Sequence, residues 1–189
     1  MRARTPLVGG VVGLFVTVAV LHLGAQLTGA DDVADATQVL LMPLLAAALW
    51  LNTEAARGRL VTLTLVALGL SWLGDSAPKL TQGDTAFLVM IGFFLLAQIA
   101  YVVAFWPFRD RSVLHVRRPL LLGYVAVVVA LVVACVGGTA GMLVPVLVYG
   151  ALLGTMAVLA TGLNLPTAIG GALFLVSDGL IALNAFADG

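Results

Sequence analysis

The order of apolar and polar residues divides the chain into seven greasy runs at residues 7–27, 37–51, 60–77, 86–107, 119–136, 142–161 and 166–186. Within each run the apolar positions are nearly continuous, with no two-residue alternation. That pattern predicts membrane helices rather than barrel strands. Crossing a bilayer takes ~20 residues at about 1.5 Å per residue. The second run is short for this, and an extension back to Asp35 would complete it. The connections are "TGADDVADA", "NTEAARGR", "KLTQGDT", "FRDRSVLHVRR", "GGTAG" and "GLNL". None is long enough for a soluble domain. The expectation is one all-α transmembrane helix bundle, a single domain over residues 1–189.

Composition strengthens the membrane reading. The sequence is 62% hydrophobic and 10% charged, against roughly 45–50% and about 25% for a soluble domain. Its formal net charge is zero, so no basic footprint points to nucleic acid. The first run is longer than the ~7–15 residues of a signal-peptide core, so it reads as a retained span. Cys135, the one cysteine, lies in an apolar run and reads as a packing residue.

Charge placement orients the spans. If seven spans alternate, Arg2, Arg4, Arg57, Arg59, Arg109, Arg111, Arg117 and Arg118 share one face, and only Lys79 lies on the other. The positive-inside bias puts the arginine face, and the N-terminus, in the cytoplasm of a cell with this chain in its plasma membrane. Asp31, Asp32, Asp35 and Asp84 fall outside. Trp50, Trp72 and Trp106 read as interfacial anchors. The small-residue stretches "GGVVG", "YGALLG" and "IGGAL" read as close helix contacts.

Against this background two acids stand out. Asp75 ends the run "LSWLGDSAPKL", and Asp178 lies inside "LFLVSDGLIAL". From the cytoplasmic ends of their spans they rise ~24 Å and ~18 Å, which puts both in the outer half of the membrane. Gln38 and His22 reach a similar level, whereas Gln98 and Tyr101 lie deeper. Ionisable residues inside spans are costly and point to function. The two stretches share a small residue before the Asp and leucines five before and five after, on spans running the same way. Two carboxyls from different helices, meeting in one lipid-accessible cavity, suit acid–base work with one neutral and one ionised. No Gly-x-Ser-x-Gly elbow exists for a serine hydrolase. Lys79, outside the last span, excludes a retinal Schiff base there. His22 and His115 are far apart with no cysteine cluster, which gives no metal-ligand spacing. Gln38, Gln98 and Asn184 also suit hydrogen bonding between helices, and Tyr101 and Tyr149 suit packing.

The stretch "LSWLGDSAP…TAFLVMIGFFLLAQIAYVVAF" resembles the first core of the YhhN family of lysoplasmalogenase-like membrane proteins. "VYGALLGTMAVLA…AIGGALFLVSDGLIALNAF" resembles its second core, and "QVLLMPLL" an earlier element. The resemblance covers roughly residues 35–186. It implies hydrolysis of the vinyl ether of a lysoplasmalogen to a fatty aldehyde and glycerophospho-ethanolamine or -choline. It implies Asp75 and Asp178 as the catalytic acids, with no metal or cofactor. Gln38, Gln98, Tyr101, Ser177, Lys79 and Asn184 are the expected substrate contacts, and lysophospholipid and membrane lipids the expected partners. Asp178 is the expected proton donor, because burial disfavours a charged carboxyl. In this chain Gln98 stands where the family usually has His, and Gln38 where Lys is usual. The family's eighth helix would follow Gly189. Two rival readings are a proton-coupled transporter, since paired acids and a parallel repeat also occur there, and a protein without catalysis.

Overall fold

The computed structural model describes residues 4–53, 58–135 and 143–186. Arg2, Arg57 and the "GGTAG" connection lie outside the described residues. Seven α-helices and no strand occur among the described residues: α1 (Arg4–Thr28), α2 (Asp31–Asn52), α3 (Arg59–Ser76), α4 (Gly83–Phe105), α5 (Arg118–Cys135), α6 (Leu143–Ala160) and α7 (Leu165–Phe186). The class is all-α, as the continuous apolar runs require. Six helices are long and apolar enough to cross a membrane, and the apolar part of the remaining one, Val144–Ala160, is shorter. Helices satisfy their backbone groups internally, which is what hydrocarbon demands. This is a multi-pass membrane protein.

The chain forms two compact units, Met1–Ala100 and Tyr101–Gly189. In the first, α1 and α2 make a hairpin. Gly29 takes φ 70°, a left-handed conformation that costs glycine little. It lets the Ala30 N–H reach back to the Ala25 carbonyl at 2.9 Å, which closes α1. Then α2 starts at Asp31, earlier than its apolar run. Asp31 and Asp32 occupy its first turn, where carboxylates complement the positive end of the helix dipole.

Pro43 lies inside α2. It has no N–H, so the Val39 carbonyl four residues back loses its intrahelical donor. Trp72 of α3 supplies one: its indole Nε1–H donates to the Val39 oxygen at 3.0 Å. The tryptophan thus acts as a specific tie between α2 and α3 as well as a partly exposed ring. Replacing it should leave that carbonyl unsatisfied, at a cost of ~1–3 kcal/mol. Trp72→Phe is therefore expected to lower the thermal midpoint in detergent. In a Pro43→Ala background, where the helix bond can re-form, the same change should cost less. Equal losses in both backgrounds would reject the tie.

At its end α3 tightens into a 3-10 turn, Ala77–Leu80, with Pro78 in its first positions. The second unit holds α5, α6 and α7. Small residues set its close approaches. A Cβ on Gly171 of α7 would lie 2.8 Å from the Ala160 Cβ and 3.3 Å from the Ala157 Cα of α6, and one on Gly154 would meet Val128 of α5 at 2.7 Å. Shape fit of this kind replaces the hydrophobic effect inside lipid. Gly171→Val is expected to force α7 off α6 and destabilise the protein by ~1–3 kcal/mol, read as a lower melting midpoint. An unchanged midpoint would refute the contact.

The loop into this unit is pinned rather than loose. Thr161, at the end of α6, accepts the Val113 N–H at 3.0 Å while its hydroxyl donates to the Val158 carbonyl. Ser112 is fully buried beside it. A Cβ on Gly162 would strike the Phe108 carbonyl oxygen.

Candidate functional site

In the first unit the polar residues gather at the end where α1 meets α2 and α3 exits. Gln38 Nε2 donates to Asp75 Oδ1 at 3.0 Å. The amide of Gln38, where a lysine was the expected family residue, still supplies the donor. The turn after α3 carries Lys79 back toward α2, where Nζ sits 2.6 Å from Asp35 Oδ1 and 3.2 Å from the Asp35 carbonyl. Asp35 is largely exposed, so this pair adds little stability. Lys79 and His22 both come within electrostatic reach of Asp75.

Histidine 22 is held firmly. Its Nδ1 lies 3.1 Å from the Ala34 carbonyl and 3.0 Å from the Thr37 hydroxyl. Thr37 donates its own proton to the Val33 carbonyl at 2.6 Å. A carbonyl can only accept, so Nδ1 carries a proton and donates it. His22 was not among the expected site residues. The signal was available in the sequence as depth: His22 lies six residues from the end of α1 and Thr37 six from the start of α2. Both are thus ~9 Å from the hairpin tip.

Packing around Asp75 is tight. Gly74 is buried, and a Cβ there would lie 2.9 Å from the Phe94 ring of α4. One turn further along α4 is Gln98, which is wholly buried with both amide atoms lacking a hydrogen-bond partner among the described residues. Ser71, one turn before Asp75, is likewise buried with an unpartnered hydroxyl.

In the second unit, Asp178 is buried on α7. The Tyr149 hydroxyl of α6 donates to its Oδ2. Tyr149 was expected to serve packing, and the structure gives it a carboxylate partner. Again depth carries the signal: Tyr149 is six residues into α6, Asp178 eight from the end of α7, so ~9 and ~12 Å from the same side of the unit. Ser177 and Asn184 are exposed on α7 and make no hydrogen bond among the described residues. Tyr101 packs its ring against Phe105 and, edge-on, against Phe174. Gln38 therefore stands directly on a carboxyl, and Lys79 near one. Gln98 is enclosed, Tyr101 is half-buried, and Ser177 and Asn184 face outward.

In each unit a carboxyl within a candidate span thus accepts a hydrogen bond from a neutral donor on an adjacent helix. A carboxyl so held can accept, keep or give a proton at a fixed atom. Among the described residues no three His, Cys, Asp or Glu side chains group closely enough to hold a metal ion.

A family model describing the YhhN family matches residues 33–189. The chain belongs to the YhhN family. The match takes in both acids, both of their hydrogen-bond donors, and all of α3 to α7; His22 and α1 precede it. Comparison with curated proteins and with solved structures gives no match. YhhN membership agrees with the resemblance carried by the GD and SD stretches.

Proposed function

We propose that this YhhN protein is a membrane hydrolase that cleaves the vinyl ether of lysoplasmalogens. The observation that carries the reading is the matched arrangement of Asp75 and Asp178, each held by a neutral donor, Gln38 and Tyr149, inside an apolar span. A vinyl ether needs a strong, well-placed acid and little else. One carboxyl gives its proton to the β-carbon of the double bond. The positive charge then spreads over the ether oxygen and the α-carbon as an oxocarbenium ion. The other carboxyl, ionised, stabilises that cation and takes a proton from the water that adds to the α-carbon. The second carboxyl then returns its proton to the glycerol oxygen of the hemiacetal as that C–O bond breaks, releasing the alcohol of glycerophospho-ethanolamine or -choline, while the first carboxylate takes the hemiacetal hydroxyl proton and both acids regain their starting states. The former vinyl chain departs as a fatty aldehyde. One water is consumed and no redox change occurs.

Gln38 and Tyr149 orient the carboxyls in this scheme. Neither changes charge, so neither competes with the acids for the proton. The membrane position of both acids fits a substrate that is itself a lipid, with its reactive bond just below the head group.

The test compares two lysolipids with purified protein: one with the vinyl ether, one with the saturated ether of equal chain length. Aldehyde should appear from the first alone, because a saturated ether offers no carbon to protonate. Turnover of neither, or proton-coupled uptake of a solute with no lipid consumed, would overturn the assignment.

A further inference from the structure

A groove on the second unit, with a volume of about 690 Å³, runs between α5 and α7. Its floor is apolar and comes from one face of each helix. Leu120, Gly123 and Val127 line it from α5, and Ala168, Ala172 and Val176 from α7. Its open end is different in kind. Arg111 and Arg117 stand there together with Asn164 and the start of α7.

Neither guanidinium has a hydrogen-bond or ion-pair partner among the described residues, whereas that of the neighbouring Arg109 is taken up by Trp106 and Asp110. Asn164 caps α7 through its Oδ1, which accepts the Thr167 N–H at 2.9 Å and the Thr167 hydroxyl at 2.8 Å. Its amide N–H groups are left over, beside the positive end of a 22-residue helix dipole.

From Arg117 to Val127 the groove extends ~15 Å along α5, and from Leu165 to Val176 ~17 Å along α7. Half of a ~30 Å hydrocarbon core is ~15 Å. The groove is therefore one leaflet deep, cationic at the surface end and apolar below. We infer that it is a binding site for a membrane phospholipid of net negative charge, with the phosphate on Arg111 and Arg117 and one acyl chain along Gly123. Arginine forks match phosphate oxygens, and basic pockets between spans on the arginine-rich face suit anionic head groups.

This lipid is distinct from the proposed substrate. With its phosphate on the arginines, its first chain carbons lie near the level of Ala168. Asp178 is ten residues further along α7, ~15 Å away. The inference does not depend on the hydrolase reading.

The test uses the purified full chain in detergent, with bound lipid counted by native mass spectrometry. Phosphatidylglycerol and phosphatidylcholine of equal chains, and inorganic phosphate, are the three probes. Phosphatidylglycerol should bind best, and inorganic phosphate should not compete with it. At about 5-fold per arginine, Arg111→Gln with Arg117→Gln should weaken phosphatidylglycerol binding ~30-fold. Gly123 has open space where a Cβ would stand, so Gly123→Leu fills the chain seat without touching charge and should weaken it too. Equal binding of the two lipids, full competition by phosphate, or unchanged binding in either variant would overturn the site.

Discussion

Asp178→Asn is expected to slow aldehyde release from a lysoplasmalogen by about 10²- to 10⁴-fold, the range that a positioned general acid or base contributes. The substitution is nearly isosteric. An asparagine carbonyl can still accept the Tyr149 hydroxyl, so α6 and α7 stay joined and the melting midpoint should hardly move. What is lost is the ability to exchange a proton or to carry a negative charge. Asp75→Asn should do the same in the first unit, since the amide oxygen can keep accepting from Gln38. The two variants should fail through kcat rather than through protein yield. Activity of either variant within a few-fold of the parent would remove that carboxyl from the reaction.

The second large effect concerns Tyr149. Tyr149→Phe keeps the ring and removes only the hydroxyl that donates to Asp178. The hydrogen bond contributes about 0.5–1.5 kcal/mol if Asp178 is the neutral proton donor and about 1.5–3 kcal/mol if it is the ionised partner, so the rate should fall ~2- to ~13-fold in the first case and ~13- to ~150-fold in the second. Tyr149 touches the carboxyl and is not assigned to the substrate. The loss should therefore appear in kcat with KM unchanged. Combined with Asp178→Asn it should add almost nothing, because the group it positions is already gone. A purely structural tyrosine would instead add its full cost in both backgrounds.

Most of the fold was legible because lipid leaves so few choices. Long unbroken apolar runs can only be helices there, and each of the seven runs became one. The misplaced boundary was the start of α2. Residues 31–36 contain three aspartates and look like a loop, yet an acid-rich first turn is what a helix N-terminus favours. Pro43 announced by itself that the Val39 carbonyl needs another donor. Which side chain supplies it, Trp72, depends on the rotation of α3 about its axis, and a near-uniformly apolar helix does not encode that in its pattern.

The acids were legible for the same reason, since a carboxylate in a greasy run is expensive. Their partners were less so. Depth placed Gln38 and His22 level with the acids and could have placed Tyr149, but depth alone does not say which way a side chain faces. The exposed Ser177 and Asn184 show the limit: both are at suitable heights on α7, on faces turned away from the rest of the unit. The lipid groove was hidden for a further reason. Leu120, Gly123, Val127, Ala168, Ala172 and Val176 are ordinary span residues, and only two helices side by side make them a concave surface.

The central proposal is that Asp75 and Asp178 work together on one vinyl ether. Its most direct measurement is mass spectrometry of the aldehyde released by purified protein in deuterated water, trapped by reduction as it forms. The expected result is a fatty aldehyde with a single deuterium on the carbon next to the carbonyl, formed by the parent and nearly abolished in each single Asp→Asn variant, with the double variant no slower than the slower single one. Absence of aldehyde from the parent, aldehyde without that deuterium, or release by the double variant at close to the parent's rate would contradict it.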